Sequence, residues 1–175
     1  MGILLVVTLA SALLLTGNIR HTVTLSAAEI QSALQRKFPV DKQELIFTAH
    51  FTDPTVSIDS TSEKVTLGLA TKISALGITA ATGKVEATGA VRYEPKTGEL
   101  FLDSPVVTVR DLTLIRLSER EKPKASKFIE QGLQEYFAHM PIYRLNDKDS
   151  KFVFARRVLK SMKIQDGKLE VELGF

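Results

Sequence analysis

Cysteine and tryptophan are absent from the 175 residues. Without thiols there is no disulfide, no cysteine nucleophile and no thiolate ligand for a metal. A chain of this kind must be held by packing alone, not by a disulfide scaffold. An excess of one charge is also missing. The 23 Lys and Arg against 20 Asp and Glu leave a net +3, too little for the concentrated basic surface that nucleic acid requires. The three histidines, His21, His50 and His139, have no partner at metal-ligand spacing. Asp147 and Asp149 lack the glycine and glutamate of a calcium loop and read as helix caps. Neither Gly-x-Ser-x-Gly nor His-Glu-x-x-His occurs. Residues 77–84 come close to a phosphate loop, but five residues separate the glycines where four are needed. Val85 also stands where a magnesium-binding hydroxyl belongs. The expectation is a non-enzymatic protein with no cofactor, no metal site and no nucleic-acid partner.

What is present begins at the N-terminus. Residues 3–15 are almost purely apolar, and no charged side chain precedes Arg20. A membrane span needs about 20 such residues, so the run reads as a secretory signal. Residues 1–17 are therefore taken as a leader and 18–175 as a single α+β domain, with a periplasmic location. Leu15-Thr16-Gly17 is also how a bacterial lipoprotein signal ends, but Asn18 stands where a cysteine would take the lipid. Attachment to a membrane stays open, and a lipid anchor at residue 18 is not expected.

Ser26 and Glu29 form a capping box, with Leu25 and Ile30 as a hydrophobic staple. Ile30, Ala33, Leu34 and Phe38 then keep helical spacing until Pro39 stops the helix. From residue 44 to 115 the apolar period becomes two, which predicts strands. Leu45, Phe47, Ala49 and Phe51 share one face, and Asp53-Pro54 interrupts before Val56 and Ile58. Val65, Leu67, Leu69 and Ile73 mark the next strand, and 79–93 a long one. Glu94-Pro95-Lys96-Thr97-Gly98 is a turn signal. Residues 100–102 and 106–115 complete the sheet. Short turns between consecutive strands imply antiparallel pairing.

On the long strand the odd positions carry Ala81, Gly83, Val85, Ala87, Gly89 and Val91, and the even positions are mostly polar. The inner face is thus lined by small residues, and glycines inside a strand mark close approach by something bulky. The segment after Pro123 is the candidate. Ala125, Phe128, Ile129, Leu133, Tyr136, Phe137 and Met140 form one apolar stripe of a helix ending at Pro141, and Gly132 on that stripe suits close packing. A third helix is expected from Asp149 or Ser150, with Phe152, Ala155, Val158, Leu159 and Met162 as its apolar positions. A terminal hairpin closes the chain around Asp166-Gly167.

A set of residues then points to a family. It comprises Leu25-Ser26 with Glu29-Ile30-Gln31, Asp53-Pro54, and Glu99-Leu100-Phe101-Leu102. Tyr136-Phe137 before Pro141-Ile142-Tyr143-Arg144-Leu145 follows, and then the hairpin from Lys163-Ile164 to Leu169. In this order they resemble the YceB-like bacterial envelope lipoproteins, a family of uncharacterised function. The resemblance covers nearly the whole chain after the leader. It implies an α+β domain in which a highly curved antiparallel sheet wraps one long amphipathic helix, as in tubular lipid-binding (TULIP-like) proteins. It also implies an outer-membrane lipid anchor, from which Asn18 departs.

Two functional readings follow. In the first, an acyl chain or similar amphiphile lies between the long helix and the small-residue strand, against Leu67, Leu69, Val85, Ala87, Val91, Phe128, Leu133 and Phe137. Each buried methylene would contribute about 0.8 kcal/mol. In the second, the core is closed and the protein is a structural or adaptor component of the cell envelope. Arg156, Arg157, Lys160 and Lys163 form a solvated basic helix end on one view, or a contact with lipid phosphates at a membrane surface on the other.

Overall fold

The computed structural model describes residues 20–44, 47–114, 122–145 and 158–174. The described chain runs β1 (Arg20–Ser26), α1 (Ala27–Gln35), β2 (Val40–Glu44), β3 (Phe47–Asp59), β4 (Lys64–Ala75), β5 (Ile78–Glu94) and β6 (Glu99–Leu114). It continues with α2 (Lys122–His139), β7 (Pro141–Arg144), β8 (Leu159–Gln165) and β9 (Lys168–Gly174). Strands β2 to β7 form one antiparallel sheet in chain order, and β1-β9-β8 form a second. The second joins the two ends of the described chain, because Leu25 pairs with Leu169 and Val23 with Val171.

Local chemistry explains α1. Ser26 Oγ accepts the Glu29 backbone N–H at 3.3 Å, and the Glu29 carboxylate accepts the Ser26 N–H at 2.8 Å. The helix buries Ile30, Ala33 and Leu34. Gln31 reaches from it to accept the Val56 N–H of β3 at 3.2 Å. Lys37, just past its end, donates to the Pro141 carbonyl at 3.1 Å. Ser60 accepts the Gly167 N–H at 2.8 Å, tying the β3–β4 turn to the β8–β9 turn.

The six-stranded sheet is curled into a half-barrel. Five irregularities interrupt its ladders, and three of them bend the long strands: one in β3 between Thr52 and Thr55, and two in the β5–β6 pair at Gly83 and Gly89. A non-glycine residue with positive φ sits at each of these three, Asp53 (52°), Asp111 (52°) and Ser104 (44°). An extra residue on one strand bends it and increases its twist.

This overturns the expected α+β architecture. Among the described residues the protein is mostly β, and no sheet wraps a long helix. The reason lies at the glycines. A Cβ built on Gly89 would stand 2.7 Å from the Asp103 carbonyl oxygen, and one on Gly83 3.1 Å from that of Arg110. The bulky neighbour of the small-residue strand is the backbone of β6, not the helix. Helix α2 lies along β6, and of its described side chains only Leu133 and Phe137 are buried, followed by Met140 just beyond its end. Gly132 is exposed, and a Cβ added to it would meet nothing within 4 Å.

The expected third helix is corrected as well. Leu159 and Met162 belong to β8, where Met162 pairs with Val171 and Ile164 with Leu169. Pairing against β9 overrides the helical spacing. The earlier part of that segment, with Asp147, Asp149 and Ser150, lies outside the described residues. So do the leader and Asn18. Two strands, β1 and β2, escape the sequence reading altogether. Asp53-Pro54 and Ser104-Pro105 do not end strands but sit within β3 and β6.

Candidate functional site

The concave face of the curled sheet is built rung by rung. Leu67 faces Ala87, Leu69 faces Val85, Thr71 faces Gly83 and Ile73 faces Ala81 across β4 and β5. On one side β3 adds Val56 beside Leu67 and Phe51 beside Thr71. On the other, β6 adds Val107 beside Ala87 and Val109 beside Val85. Side chains alternate along a strand, so the odd positions of β4 and β5 line this face while Lys72, Lys84 and Glu86 point away.

The sequence-derived wall is largely brought together. Leu67, Leu69, Val85 and Ala87 are at most 2% exposed, and Leu133 and Phe137 join them in one apolar cluster, with Val91 packed against it. The side chain of Phe128 lies outside the described residues. Of the basic group, Arg156 and Arg157 also lie outside them. Lys160 is exposed, and Lys163 pairs with Glu170 at 3.1 Å. Both sit on a strand, so the expected cationic helix end is not formed by them.

Three residues that matter here were not singled out. Phe51 stacks on Tyr136 with ring centroids 5.8 Å apart and meets Phe137 edge-on at 6.3 Å. This aromatic group pins the C-terminal half of α2 over the concave face. Burial raises the Tyr136 phenol above its ordinary value of 10.0, and the Lys42 ammonium lies over its ring at 4.6 Å. Thr71 is the third. It is only 5% exposed, and its Oγ1 is buried with no hydrogen-bond partner among the described residues. A hydroxyl left in that state costs about 1–3 kcal/mol. A signal was present in the sequence, since Thr71 is the one polar residue in the phase set by Val65, Leu67, Leu69 and Ile73. Thr97 Oγ1 is likewise unbonded, but in the β5–β6 turn.

Elsewhere the chemistry is sparse. Among the described residues, no three His, Cys, Asp or Glu side chains gather as a metal site. His50 Nδ1 pairs with Asp41, and His139 Nδ1 lies 2.9 Å from the Glu135 carbonyl. A shallow open depression of about 310 Å³ lies between α1 and β7, lined by Ala28, Glu29, Ser32, Arg36 and Tyr143. Its carboxylate, Glu29, is committed to the cap, and hydrogen bonds from the Ser26 backbone and hydroxyl hold it below its ordinary 4.5. Leu76 and Ile78, 76% and 52% exposed, form an apolar tip on the β4–β5 hairpin. No described helix is long and apolar enough to cross a membrane.

One comparison places this architecture. The family described as a protein of unknown function, DUF1439, matches residues 25–168. The chain belongs to that family. The match begins at the second-last residue of β1 and ends at the first of β9, so it takes in the whole curled sheet and the concave face. A search of curated proteins finds no match to the chain.

Proposed function

We propose that this DUF1439 protein is an exported, periplasmic binding module of the YceB-like kind. It holds an acyl chain or similar amphiphile on the apolar concave side of its curled sheet, beneath the C-terminal half of α2. One observation carries the reading. Seven of the residues expected to form such a wall gather in or against a single apolar cluster, which also takes in Ile30 and Leu34 of α1 and Val171 and Leu173 of β9. The apolar run at residues 3–15 supports export. The basic residues Arg156, Arg157, Lys160 and Lys163 are proposed as a contact for anionic lipid heads. The protein performs no catalysis in this reading.

A second reading has its own support. Leu67, Val85, Ala87 and Phe137 are at most 1% exposed, as in a core with nothing to admit, and the protein is then an envelope adaptor that works through its surface. Native mass spectrometry after gentle purification separates the two. A reproducible lipid-sized adduct, with uptake of a fluorescent fatty acyl probe, supports the binding module. A clean apo mass with no uptake leaves the adaptor.

A further inference from the structure

The concave face holds one polar side chain that the fold leaves without a partner among the described residues. Thr71 is 5% exposed and its Oγ1 has no hydrogen-bond partner there. It stands between Phe51 on β3 and Gly83 on β5, its neighbours on the same face. Gly83 presents no side chain there, and the β6 backbone at Arg110 and the Leu112 side chain come within 3.3 Å of where its Cβ would lie, so the hydroxyl is bordered by one aromatic ring, backbone and apolar side chain. Leu69 and Leu67 continue the wall on one side of it, and Ile73 on the other. Beyond Ile73 the hairpin ends in exposed Leu76 and Ile78.

We propose that Thr71 is the polar anchor of a ligand site, hydrogen-bonding a neutral oxygen that is flanked by apolar chain, such as an acyl-ester carbonyl or a chain hydroxyl. This rests on the acyl-binding reading above and specifies its chemistry. A hydroxyl can donate to a carbonyl or accept from an alcohol. A free carboxylate is disfavoured, because a buried charge needs an opposite charge beside it. The charged residues of β4 and β5, among them Lys72, Lys84 and Glu86, occupy even positions and point away from Thr71. Lys42 is exposed and its ammonium is over the Tyr136 ring. Apolar wall on both sides of the hydroxyl fits an oxygen within a chain better than one at its end.

The test uses the intact protein and T71V, a substitution close to Thr in shape. Three probes of matched medium chain length are titrated by calorimetry: an acyl methyl ester, the free acid and the alkane. The wild type is expected to bind the ester about fivefold to tenfold tighter than T71V does, the effect of one buried hydrogen bond, while alkane affinity is unchanged. T71V without ligand should melt at or above the wild-type temperature, since an unbonded hydroxyl has been removed. Equal ester affinity in the two proteins overturns the anchor but leaves acyl binding standing. Acid bound more tightly than ester overturns the neutral-oxygen assignment. If no probe binds either protein, the acyl-binding reading itself falls, and the anchor with it.

Discussion

Gly89 of β5 lies so close to Asp103 of β6 that a Cβ on the glycine would meet the aspartate carbonyl oxygen at 2.7 Å. The obstacle is backbone at an irregularity in the strand pairing, where Ser104 has positive φ, so neither side can give way cheaply. Gly89→Ala is expected to destabilise the protein by about 1–3 kcal/mol. Urea unfolding followed by circular dichroism measures it, and an unchanged midpoint would show that the β5–β6 contact is looser than this spacing requires.

Gly132 is the contrasting case. It sits in α2, is exposed, and has nothing within 4 Å of where a Cβ would go. Gly132→Ala should raise stability by about 0.5–1 kcal/mol through helix propensity alone. Loss of stability in the same assay would mean that a neighbour covers this face.

The cap of α1 gives a pH-linked prediction. Glu29 is held below 4.5 mainly by the Ser26 backbone N–H and then by its hydroxyl. An acid with a lowered folded-state pKa adds stability above its unfolded value and loses it as pH falls through the lowered one. The contribution of the cap is therefore full above about pH 4.5 and fades below it. Ser26→Ala should cost about 1 kcal/mol at neutral pH, and its stability should fall less steeply on acidification than that of the wild type. Parallel pH–stability curves for the two proteins would count against the linkage.

Phe137 is fully buried and touches both Phe51 and Tyr136. Phe137→Ala should destabilise by about 3–5 kcal/mol, the usual loss for a buried aromatic. It should also free the end of α2 from the sheet. Hydrogen exchange is the measurement: amides of α2 near Tyr136 should lose protection before those of β4 and β5.

Several elements were legible because their signals are local. The cap at Ser26 and Glu29, the turn at 94–98, the hairpin around Asp166-Gly167 and the odd-numbered inner face of β5 all follow from residues a few positions apart. The buried side of β4 and β5 was readable for the same reason, as strand alternation marks Leu67, Leu69, Val85 and Ala87. Strand β1 was missed because its partner, β9, lies at the other end of the chain. Met162 kept helical spacing with Leu159, yet Val171 drew it into a sheet. Thr71 was visible as a polar break in an apolar phase, but whether its hydroxyl found a partner depended on Phe51 and Gly83, from two other strands.

The sequence alone determined which faces are apolar, where the chain turns and how α1 begins, since these are set by side-chain period and by hydrogen bonds within one turn. What the glycines of β5 are for emerges from the packing of strand against strand. A missing side chain records that something comes close without recording what. Here it is the bulged backbone of β6, which closes on Gly83 and Gly89 because no side chain stands in its way.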